Sequence, residues 1–367
     1  MTRLISVKQI IDFAILPLIN VFVALMVSGL VVVFVGQNPF DAIRYLISGS
    51  LGSGEGIGFT LYYATSFMLT GLAVAVASHG GLFTIGAEGQ AYLGGLGIAV
   101  VCLALDHVVP WYVTIVPAAA LGMLVGAAWA FIPAYLQAKR GSHLVITTIM
   151  FNFIASSIMI YLLVNVIKEP GSMAPQTRLF ADGGLLPKLG SILPINFGTA
   201  PLNVSFFIAI GAAFFVWVLI WKTKLGFEIR ATGANPAAAK NAGISYVKIT
   251  IVCMLISGAI AGLSGLNILM GDLGKLQLDF PAGIGLVGVA VALMGRGHPV
   301  GVGVASVLFG ILYQGGAEVS FWMPNITREL IVLIQGLVVL FAGALSVMFR
   351  NSIYSFVDLL RFSKMGA

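Results

Sequence analysis

The chain has 367 residues and a formal net charge of +6; 59% of its residues are hydrophobic, 9% are charged, and its mean hydropathy is +1.04. Soluble domains carry about 25% charged residues, so this composition excludes a protein whose whole surface is in contact with water. It indicates a chain that crosses a membrane several times.

Ten stretches of the chain lack charged residues, and most reach the roughly 20 apolar residues that span about 30 Å of hydrocarbon. We therefore expect an all-α fold, a bundle of about ten membrane segments in a single transmembrane domain over residues 1–367. In chain order, the stretches are Phe13–Phe40, Gly56–Ala87, Gly89–Leu105, His107–Ala138, Gly141–Ile167, Leu189–Trp221, Ile249–Gly271, Phe280–Gly295, Gly297–Ala317 and Leu330–Phe349.

Some of these helices are expected to be short or broken. The stretch Phe280–Gly295 is short for a bilayer and contains Pro281, and residues Gly80–Gly95 are rich in glycine. Broken helices are tolerated in membranes where protein or a cavity satisfies the freed backbone groups.

The charged residues sort by side of the membrane, because Lys and Arg accumulate in short cytoplasmic loops. With the amino terminus inside, 13 of the 19 Lys and Arg residues fall on the cytoplasmic side, and nine of the 13 acidic residues fall outside. This predicts a multi-pass protein of the cell (inner) membrane with both termini in the cytoplasm. The positive charge follows from that topology, so we expect no nucleic-acid partner.

A weak internal repeat links two parts of the chain. Residues Gly71–Gly80 read Gly-Leu-Ala-Val-Ala-Val-Ala-Ser-His-Gly, and residues Gly288–Gly297 read Gly-Val-Ala-Val-Ala-Leu-Met-Gly-Arg-Gly. A parallel repeat of this kind places a substrate path between two halves of a transport protein. Chance recurrence of Gly, Ala and Val in membrane helices is the alternative.

Residues Gly81–Gln90, which we call the Glu88 motif, read Gly-Leu-Phe-Thr-Ile-Gly-Ala-Glu-Gly-Gln. Taken as helical, the motif places Glu88 about 9 Å inside the membrane boundary. An acidic residue at mid-bilayer costs about 2.5–3.5 kcal/mol on insertion scales, so it faces the bundle interior or a wet cavity. Either Glu88 and Gln90 lie beside a substrate path, or Glu88 is a buried polar tie between helices.

Two segments are predicted to be loops. The first, Lys168–Pro201, contains five prolines and mixed charges, and it is expected on the outer side; we call it the proline-rich loop. The second, Lys222–Lys248, is expected on the inner side and contains the sequence Asn-Pro-Ala-Ala-Ala; we call it the NPAAA loop.

The NPAAA loop is predicted to contain a helix of about two turns. Asn235 is a favoured N-cap, Pro236 suits the first turn, Ala237–Ala239 have high helix propensity, and Gly243 can end the helix in a left-handed cap. Such a short helix needs packing to persist. Its alanines would admit a groove of another subunit, or the helix packs only on its own chain.

Enzymatic readings have little support in the residues. The nucleotide-binding pattern G-x-x-x-x-G-K-[ST] is missing, since Lys275 is followed by Leu276. We expect no cofactor and no metal, because the histidines lack ligand spacing; they are His79, His107, His143 and His298. A membrane-embedded enzyme would need convergent polar groups, and few are available: Glu88, Gln90, Thr147, Thr148, Asn152 and Asn267.

Together, the two motifs resemble the permease subunits of ATP-binding-cassette importers, in the branch with ribose-type and nucleoside-type permeases. Residues Gly226–Ile244, followed by Ser257–Gly265, resemble that family's coupling loop and the helix after it. The Glu88 motif is similar to the nucleoside-type pattern Gly-x-Phe-Asn-Ile-Gly-x-Glu-Gly-Gln, with Thr84 in place of Asn. Residues Leu144–Asn152 also resemble the nucleoside-type Val-Ile-x-Thr-Ile-Met-x-Asn pattern. The resemblance covers about residues 60 to 345.

This resemblance implies an importer with two membrane subunits, identical or paralogous, two ATPase subunits and an extracytoplasmic solute-binding protein, embedded in membrane lipid. ATP hydrolysis is expected in the ATPase partner, so the chain itself is expected to be a transport subunit. The solute would be a nucleoside, or a sugar if the chain is ribose-type. An ion-coupled secondary transporter is the competing class, but it has no need of the NPAAA helix.

Two sets of residues are expected to have roles in transport. From their polarity, the residues expected along the substrate path are Thr84, Glu88, Gln90 and Asn152. The residues expected to couple the chain to the ATPase are Arg230, Gly233, Asn235, Pro236, Ala238, Ala239 and Gly243.

Overall fold

The computed structural model of the chain describes residues 26–192, 196–327 and 330–337. Its main helices are α1 Met26–Phe34, α2 Pro39–Leu51, α3 Gly54–His79, α4 Ala87–Leu105, α5 Trp111–Tyr135, α6 Leu144–Asn165, α7 Ser205–Lys222, α8 Lys224–Ala234, α9 Pro236–Asn241, α10 Tyr246–Gly262, α11 Ile284–Met294 and α12 Pro299–Trp322. Two π-helical segments, Leu136–Arg140 and Leu266–Leu273, extend α5 and α10. No strand occurs in these ranges.

The predicted polytopic helical bundle is confirmed. Seven helices in the described part of the chain are long and apolar enough to cross a membrane, and the bent pair α1 and α2, which meet at 119°, would make eight. The expected number of about ten is too high. Counting runs without charge overestimates spans, because it does not distinguish a full span from a short helix such as α11.

The expectation of short and broken helices is confirmed as well. The stretch Phe280–Gly295 yields only α11, whose 11 residues reach about 16 Å, half the hydrocarbon thickness. The predicted spans Phe13–Phe40 and Leu330–Phe349 lie partly outside the described residues.

α5 and α10 cross in close contact. Gly122 and Gly126 on α5, and Gly258 and Gly262 on α10, have the spacing G-x-x-x-G. A Cβ at Gly126 would stand 2.3 Å from the carbonyl oxygen of Gly258, and one at Gly262 2.3 Å from that of Gly122. Backbone therefore contacts backbone here, as small residues allow in membrane helices.

The two stretches of the internal repeat pack against each other. A Cβ at Gly71 of α3 would lie 2.8 Å from Cγ1 of Val291, and one at Gly288 of α11 would lie 2.5 Å from Oγ1 of Thr70. The Thr70 hydroxyl also donates to the carbonyl oxygen of Ile284 at 3.0 Å. The similar stretches thus form one helix pair, although such a contact requires only small residues, whatever the origin of the similarity.

The π-helical end of α10 carries a fully buried asparagine, Asn267. Its Nδ2 donates to the carbonyl oxygen of Tyr62 at 3.0 Å and to Oγ of Ser66 at 2.8 Å. Its Oδ1 accepts from Nδ2 of Asn203 and Oγ of Ser205, both at 2.9 Å. An amide side chain has two donors and two acceptor positions, so every one is used, and α3, α7 and α10 are joined.

The proline-rich loop folds back against neighbouring helices of the same unit. The N–H of Phe180 donates to the carbonyl oxygen of Gly274 at 2.7 Å, and that of Leu186 donates to Met270 at 2.8 Å. An isolated β-bridge pairs Gln176 with Gln277. The loop is therefore attached to the chain just after α10.

An ion pair fastens the proline-rich loop to α4. Asp106, the first residue after α4, is buried, and its carboxylate accepts two hydrogen bonds from Arg178 at 2.7 and 2.9 Å. The N–H of Ala181 donates a third at 2.8 Å. Burial alone would raise the pKa of Asp106, but these bonds and the Arg178 charge outweigh it and lower that pKa below its usual value. The same pair raises the pKa of Arg178.

The described residues group into two compact units, residues 51–311 and residues 26–50 with 312–337. In the smaller unit, the rings of Tyr45 and Trp322 stack with centroids 6.0 Å apart. Its buried apolar core contains Val32, Ala42, Val319, Met323, Ile326 and Ile331. A single permease domain over residues 1–367 remains a prediction.

Candidate functional site

The Glu88 motif lies between α3 and α4 and begins as a turn. Gly81 has a φ of +70°, which favours glycine. The hydroxyl of buried Thr84 accepts the N–H of Gly86 at 3.1 Å. Because α4 begins only at Ala87, Glu88 stands in the first turn of that helix. The expected depth of about 9 Å assumed six helical residues before Glu88. Those residues form a turn here, so the estimate loses its basis and the depth of Glu88 in the membrane is not tested.

The carboxylate of Glu88 binds the amino end of α11. Its Oε1 accepts the N–H of Gly283 at 2.8 Å, and its Oε2 accepts the N–H of Gly285 at 2.6 Å. Such N–H groups have no partner within their own helix, and the helix dipole favours a negative charge beside them. A Cβ at Gly285 would stand 2.2 Å from the backbone nitrogen of Glu88. The contacts of Glu88 are thus those of a polar tie between helices.

One face of α4 holds the segment before α11. Glu88, Tyr92 and Gly95 recur on that face at helical spacing. The Tyr92 hydroxyl accepts the N–H of Asp279 at 2.8 Å. The Phe280 ring lies over Gly95, where a Cβ would stand 2.2 Å from the ring. The start of α11 is therefore positioned by α4.

Asn152 on α6 binds the opposite side of the Glu88 motif. Its Oδ1 accepts the N–H of Gly89 at 3.0 Å, and its Nδ2 donates to the carbonyl oxygen of Ile85 at 2.9 Å. A Cβ at Gly86 would approach the Thr148 side chain to 3.1 Å. The motif is thus fixed to α6 by backbone hydrogen bonds and close glycine contacts.

Two buried hydrogen-bonding atoms, Oε1 of Gln90 at the end of the Glu88 motif and Nε1 of Trp129 beside it, have no partner among the described residues. Gln90 is 1% exposed, and its Oε1 has no hydrogen-bond partner within the described ranges. The Nε1 of Trp129 on α5 is likewise buried and without a partner there. A Cβ at Gly89 would lie 3.2 Å from that Nε1, and one at Gly86 would lie 3.2 Å from Nε2 of Gln90.

The structure does not bring the four predicted path residues into one cluster. Gln90 and Asn152 lie on the side of the motif that faces α5 and α6, and Thr84 bonds within the turn before them. Glu88 faces α11 instead. The sequence does not predict that Glu88 and Asn152 face different helices, because each binds residues that are distant in the chain.

The NPAAA loop contains two helices, α8 and α9. The Oδ1 of Asn235 accepts the N–H groups of Ala237 at 3.0 Å and Ala238 at 3.1 Å. Pro236 is the first residue of α9, and Gly243, just beyond the helix, has a φ of +79°. The predicted short helix and both of its caps are confirmed. Its role in docking stays a prediction.

The alanines of α9 differ in exposure. Ala239 is buried, at 5% exposure, whereas Ala237 and Ala238 are exposed. Arg230 on α8 is exposed too. One face of α9 is therefore packed on its own chain, and the face with Ala237 and Ala238 is open.

Gly233 joins α8 to the turn that begins the Glu88 motif. A Cβ at Gly233 would stand 2.2 Å from the carbonyl oxygen of His79 and 2.7 Å from the nitrogen of Gly81. The two backbones are therefore in contact, and any side chain at position 233 would push them apart. This contact links a predicted coupling residue to the motif that contains the predicted path residues.

Sequence reasoning missed α8 and an aromatic contact beside it. A signal for α8 exists in the chain: Thr223 is a favoured N-cap residue, and its Oγ1 accepts the N–H of Gly226 at 3.0 Å. The Trp221 ring lies 5.2 Å from the His79 ring and 4.9 Å from the His298 ring. No local pattern predicts that contact, because it joins residues far apart in the chain.

One family model, described as the branched-chain amino acid transport system / permease component, matches residues 56–343. The chain belongs to this family. The predicted resemblance to transport permeases is thereby confirmed, and the permease is a multi-pass component of a transport system. Within the described part of the permease, no group of three or more His, Cys, Asp or Glu residues could hold a metal ion.

Named relatives cover most of the permease. It is 34% identical over 89% of its length to a glucose ABC transporter permease protein of Haloferax volcanii, of which 86% is covered. It is 33% identical to a nucleoside ABC transporter permease protein of Lactococcus lactis subsp. cremoris, with 89% of each chain covered. It is also 33% identical to a guanosine ABC transporter permease protein of Bacillus subtilis, with 89% and 92% covered. No solved structure matches the permease.

Proposed function

We propose that the permease is a membrane-spanning subunit of an ATP-binding-cassette importer and that it carries nucleosides. The observation that carries this proposal is the similarity, over 89% of the chain, to relatives named for nucleosides and guanosine. The Glu88 motif supports it, because it keeps the nucleoside-type order of glycines, Glu88 and Gln90. Thr84 departs from the pattern, but it keeps a short polar side chain.

A simple sugar is the second candidate solute. The relative named for glucose is as similar to the permease as the nucleoside relatives are, at 34% identity. Both solute classes present several hydroxyl groups, so both need hydrogen-bonding partners along the path. Uptake measurements distinguish them.

The assembly proposed for the permease has four kinds of partner. They are an ATPase subunit, a second permease subunit that is identical or paralogous, an extracytoplasmic solute-binding protein and membrane lipid. The importer lies in the cell (inner) membrane with both termini of the permease in the cytoplasm. This topology is supported by the distribution of Lys and Arg.

The proposed solute path runs beside the Glu88 motif, along Thr84, Glu88, Gln90 and Asn152. Support comes chiefly from Gln90, whose buried Oε1 has no partner among the described residues. An unsatisfied buried acceptor costs about 1–3 kcal/mol, and a solute hydroxyl or N–H group would relieve that cost. Trp129 could contribute its unused Nε1–H from the other side.

The proposed docking site for the ATPase is the open face of α9. Ala237 and Ala238 are exposed there, and Arg230 and Lys240 add exposed positive charge nearby. Small side chains let a groove close over a helix, and the charges favour an acidic groove. The buried side chain of Ala239 keeps α9 in place for that contact.

The test uses proteoliposomes that contain the permease, its ATPase and its binding protein. We expect uptake of radiolabelled guanosine that requires ATP and persists when the proton gradient is collapsed. Glucose uptake in place of guanosine uptake would favour the sugar candidate. Uptake that follows the proton gradient and ignores ATP would contradict the importer proposal.

Two matched variants test the docking face in the same system. Ala238→Glu adds a bulky charge to the open face of α9, while helix propensity changes by only a few tenths of a kcal/mol. We expect it to insert normally, lose co-purification with the ATPase and lose uptake. Ala174→Glu, at an exposed alanine of the proline-rich loop, should retain both. Equal behaviour of the two variants would refute the docking assignment.

A further inference from the structure

α11 is a short helix bounded by left-handed backbone at both ends. Before it, Asp279 has a φ of 54° and Ala282 a φ of 47°; after it, Arg296 has a φ of 53°. Left-handed conformations are strained for residues other than glycine. Strained residues of this kind cluster at switch regions. The rod of α11 therefore lies between two bends, each of which contains a strained residue.

Each end of α11 is held by polar contacts with neighbouring elements. In its first turn, the carbonyl oxygen of Ile284 accepts a hydrogen bond from the Thr70 hydroxyl at 3.0 Å. At the amino end, Glu88 accepts the N–H groups of Gly283 and Gly285. At the carboxyl end, the carbonyl oxygen of Gly297 accepts a hydrogen bond from Nε2 of His79 at 3.2 Å. His79 is the last residue of α3, next to the turn of the Glu88 motif.

These contacts close a ring that includes α8. Gly233 on α8 touches the backbone of His79 and Gly81. From Gly81 the chain runs directly to Glu88, and from His79 the contact with Gly297 leads along α11 back to Glu88. A displacement of α8 would therefore reach Glu88 by two routes, through the motif and through α11.

The packing of α11 is asymmetric. It is fastened closely to α3, where Gly288 lies against Thr70 and Gly71 lies against Val291. Its contact with α4 is less extensive and lies at the first turn, where Glu88 binds two N–H groups and the backbone of Gly285 lies against that of Glu88. Tyr92 and Gly95 of α4 hold the segment just before α11. The α3–α11 pair can therefore move away from the first turn of α4 when these few contacts open, with the contacts inside the pair retained.

We infer that α3 and α11 move together against α4 during the transport cycle and that the bonds from Glu88 to Gly283 and Gly285 open in this movement. Gly233 delivers the movement from the NPAAA loop. Glu88 is then a positioning residue that holds the closed state of the path, and it is not a ligand for the solute. This inference rests on the proposed ATP-driven function.

The test follows the reactivity of a cysteine at the Glu88 contact. Ile284, the first residue of α11, is buried at 8% exposure. Ile284→Cys is introduced into a permease in which Cys102 and Cys253 are replaced by alanine, and the permease–ATPase complex is labelled with N-ethylmaleimide. If trapping with ATP and vanadate shifts a mainly closed population to a mainly open one, the labelling rate should rise at least about tenfold.

A matched reporter separates opening of this contact from general loosening. Ile98 lies on α4, ten residues or about 15 Å along the helix from Glu88, and it is fully buried against α5 near Gly122. Ile98→Cys therefore reports on a part of α4 away from the Glu88 hydrogen bonds. It should remain unlabelled in both nucleotide states. A rise at Ile98→Cys equal to that at Ile284→Cys, or no rise at Ile284→Cys, would overturn the inference.

Two variants test the parts assigned to Glu88 and Gly233. Glu88→Gln has one acceptor oxygen for two N–H groups, so Ile284→Cys should label rapidly even without nucleotide. Gly233→Ala pushes α8 away from His79 and should abolish the nucleotide response. Gly211→Ala, with nothing within 4 Å of the added Cβ, should retain it. If Gly233→Ala keeps the full response, Gly233 does not deliver the movement.

The labelling experiment requires no transported solute, so its failure differs from failure of the proposed function. A nucleotide-dependent rise at Ile284→Cys without guanosine uptake would support the movement and contradict the proposed solute. ATP-driven guanosine uptake without any rise would support the proposed function and contradict the movement.

Discussion

The side chain of Asp106 shows how one residue can attach a loop to a helix. Its carboxylate binds Arg178 and the N–H of Ala181, and its pKa is lowered as a result. A group with a lowered folded-state pKa stabilises the fold fully above its unfolded pKa, about 3.9 for Asp. That stabilisation is lost as the pH falls through the lower, folded-state pKa.

We therefore predict that the proline-rich loop loosens at acidic pH below about 4. Pepsin should cleave the loop of the purified permease increasingly fast as the pH falls towards 2. The Asp106→Asn variant should be cleaved faster already at pH 5, on the order of tenfold for a loss of about 1.4 kcal/mol. At low pH the cleavage rates of the variant and the parent should become equal, because Asp106 is then protonated in the parent as well. A constant ratio of the two rates across this range would show that the Asp106 charge does not hold the loop.

Residues whose partners are near in sequence could be predicted from the sequence. Asn235 and Gly243 act within four residues of α9, so the short helix and its caps followed from residue preferences alone. Glu88 was recognised as an interior polar residue, but its partners are almost 200 residues away, at Gly283 and Gly285. Separations of 62 to 205 residues likewise hide the network around Asn267.

Several contacts between helices depend on glycine, which has no side chain to separate the backbones. At the crossing of α5 and α10, Gly126 and Gly258 bring backbone against backbone, with 2.3 Å from an added Cβ to the facing oxygen. Gly211 on α7 has the same residue type in the same secondary structure, but nothing lies within 4 Å of an added Cβ. Comparing Gly126 with Gly211 therefore separates the effect of alanine on helix propensity from its effect on packing between helices.

We predict opposite effects of alanine at these two glycines. Gly126→Ala should destabilise the permease by about 1–3 kcal/mol, since overpacking moves the backbone. Gly211→Ala should be neutral or slightly stabilising, because Ala favours a helix by about 1 kcal/mol over Gly. Thermal unfolding in detergent, followed by a thiol-reactive dye that labels the buried Cys102 and Cys253, measures both. Similar shifts for the two variants would contradict the close crossing.

Helix lengths could be predicted only in part. Absence of charge located most spans, but it also included Leu189–Ala200 in a span, where Pro194, Gly190 and Gly198 favour irregular structure. The short length of α11 follows from Pro281 and from the left-handed Gly283 that precede it. A short apolar helix can end within the membrane only where other parts of the protein satisfy its terminal backbone groups. At the amino end of α11 these groups bind Glu88 of α4, a tertiary contact that the local sequence does not predict.

Across the whole chain, the order of spans fixes which loops share a side of the membrane. Ser172 lies in the proline-rich loop and Ser245 in the NPAAA loop. Between them, among the described residues, lies a single membrane-spanning helix, α7. One span puts its two ends on opposite sides, which agrees with the predicted distribution of positive charge.

We predict that single cysteines at these positions are labelled from opposite sides of the membrane. Ser172→Cys should react with an impermeant maleimide added to intact cells, and Ser245→Cys should react only after the membrane is opened. The parent chain is the control, because its two cysteines are buried. Labelling of both positions in intact cells would refute the topology. The predicted cytoplasmic termini lie outside the described residues.

The family could be predicted from the sequence because its motifs are local, whereas the solute could not be fixed in the same way. The Glu88 motif and the NPAAA loop each occupy fewer than 30 consecutive residues. On the proposed path, solute choice would instead depend on side chains that the fold brings together, such as Gln90 on α4 and Trp129 on α5. Thr84 and Gln90 were recognisable, but Trp129 had no signal in its own surroundings.

The π-helical end of α10, Leu266–Leu273, sets the angular position of everything after it. Hydrogen bonds in a π-helix span one residue more than in an α-helix, and one extra residue rotates the following side chains by about 100° about the axis. Asp272 reaches the hydroxyl of Tyr62 at 2.8 Å from that rotated position. A one-residue deletion within this segment could restore a regular helix, yet it would turn Asp272 away from Tyr62 and redirect the chain that leads to α11. A change in chain length at this point would therefore be a change in helix phase rather than in the length of a loop.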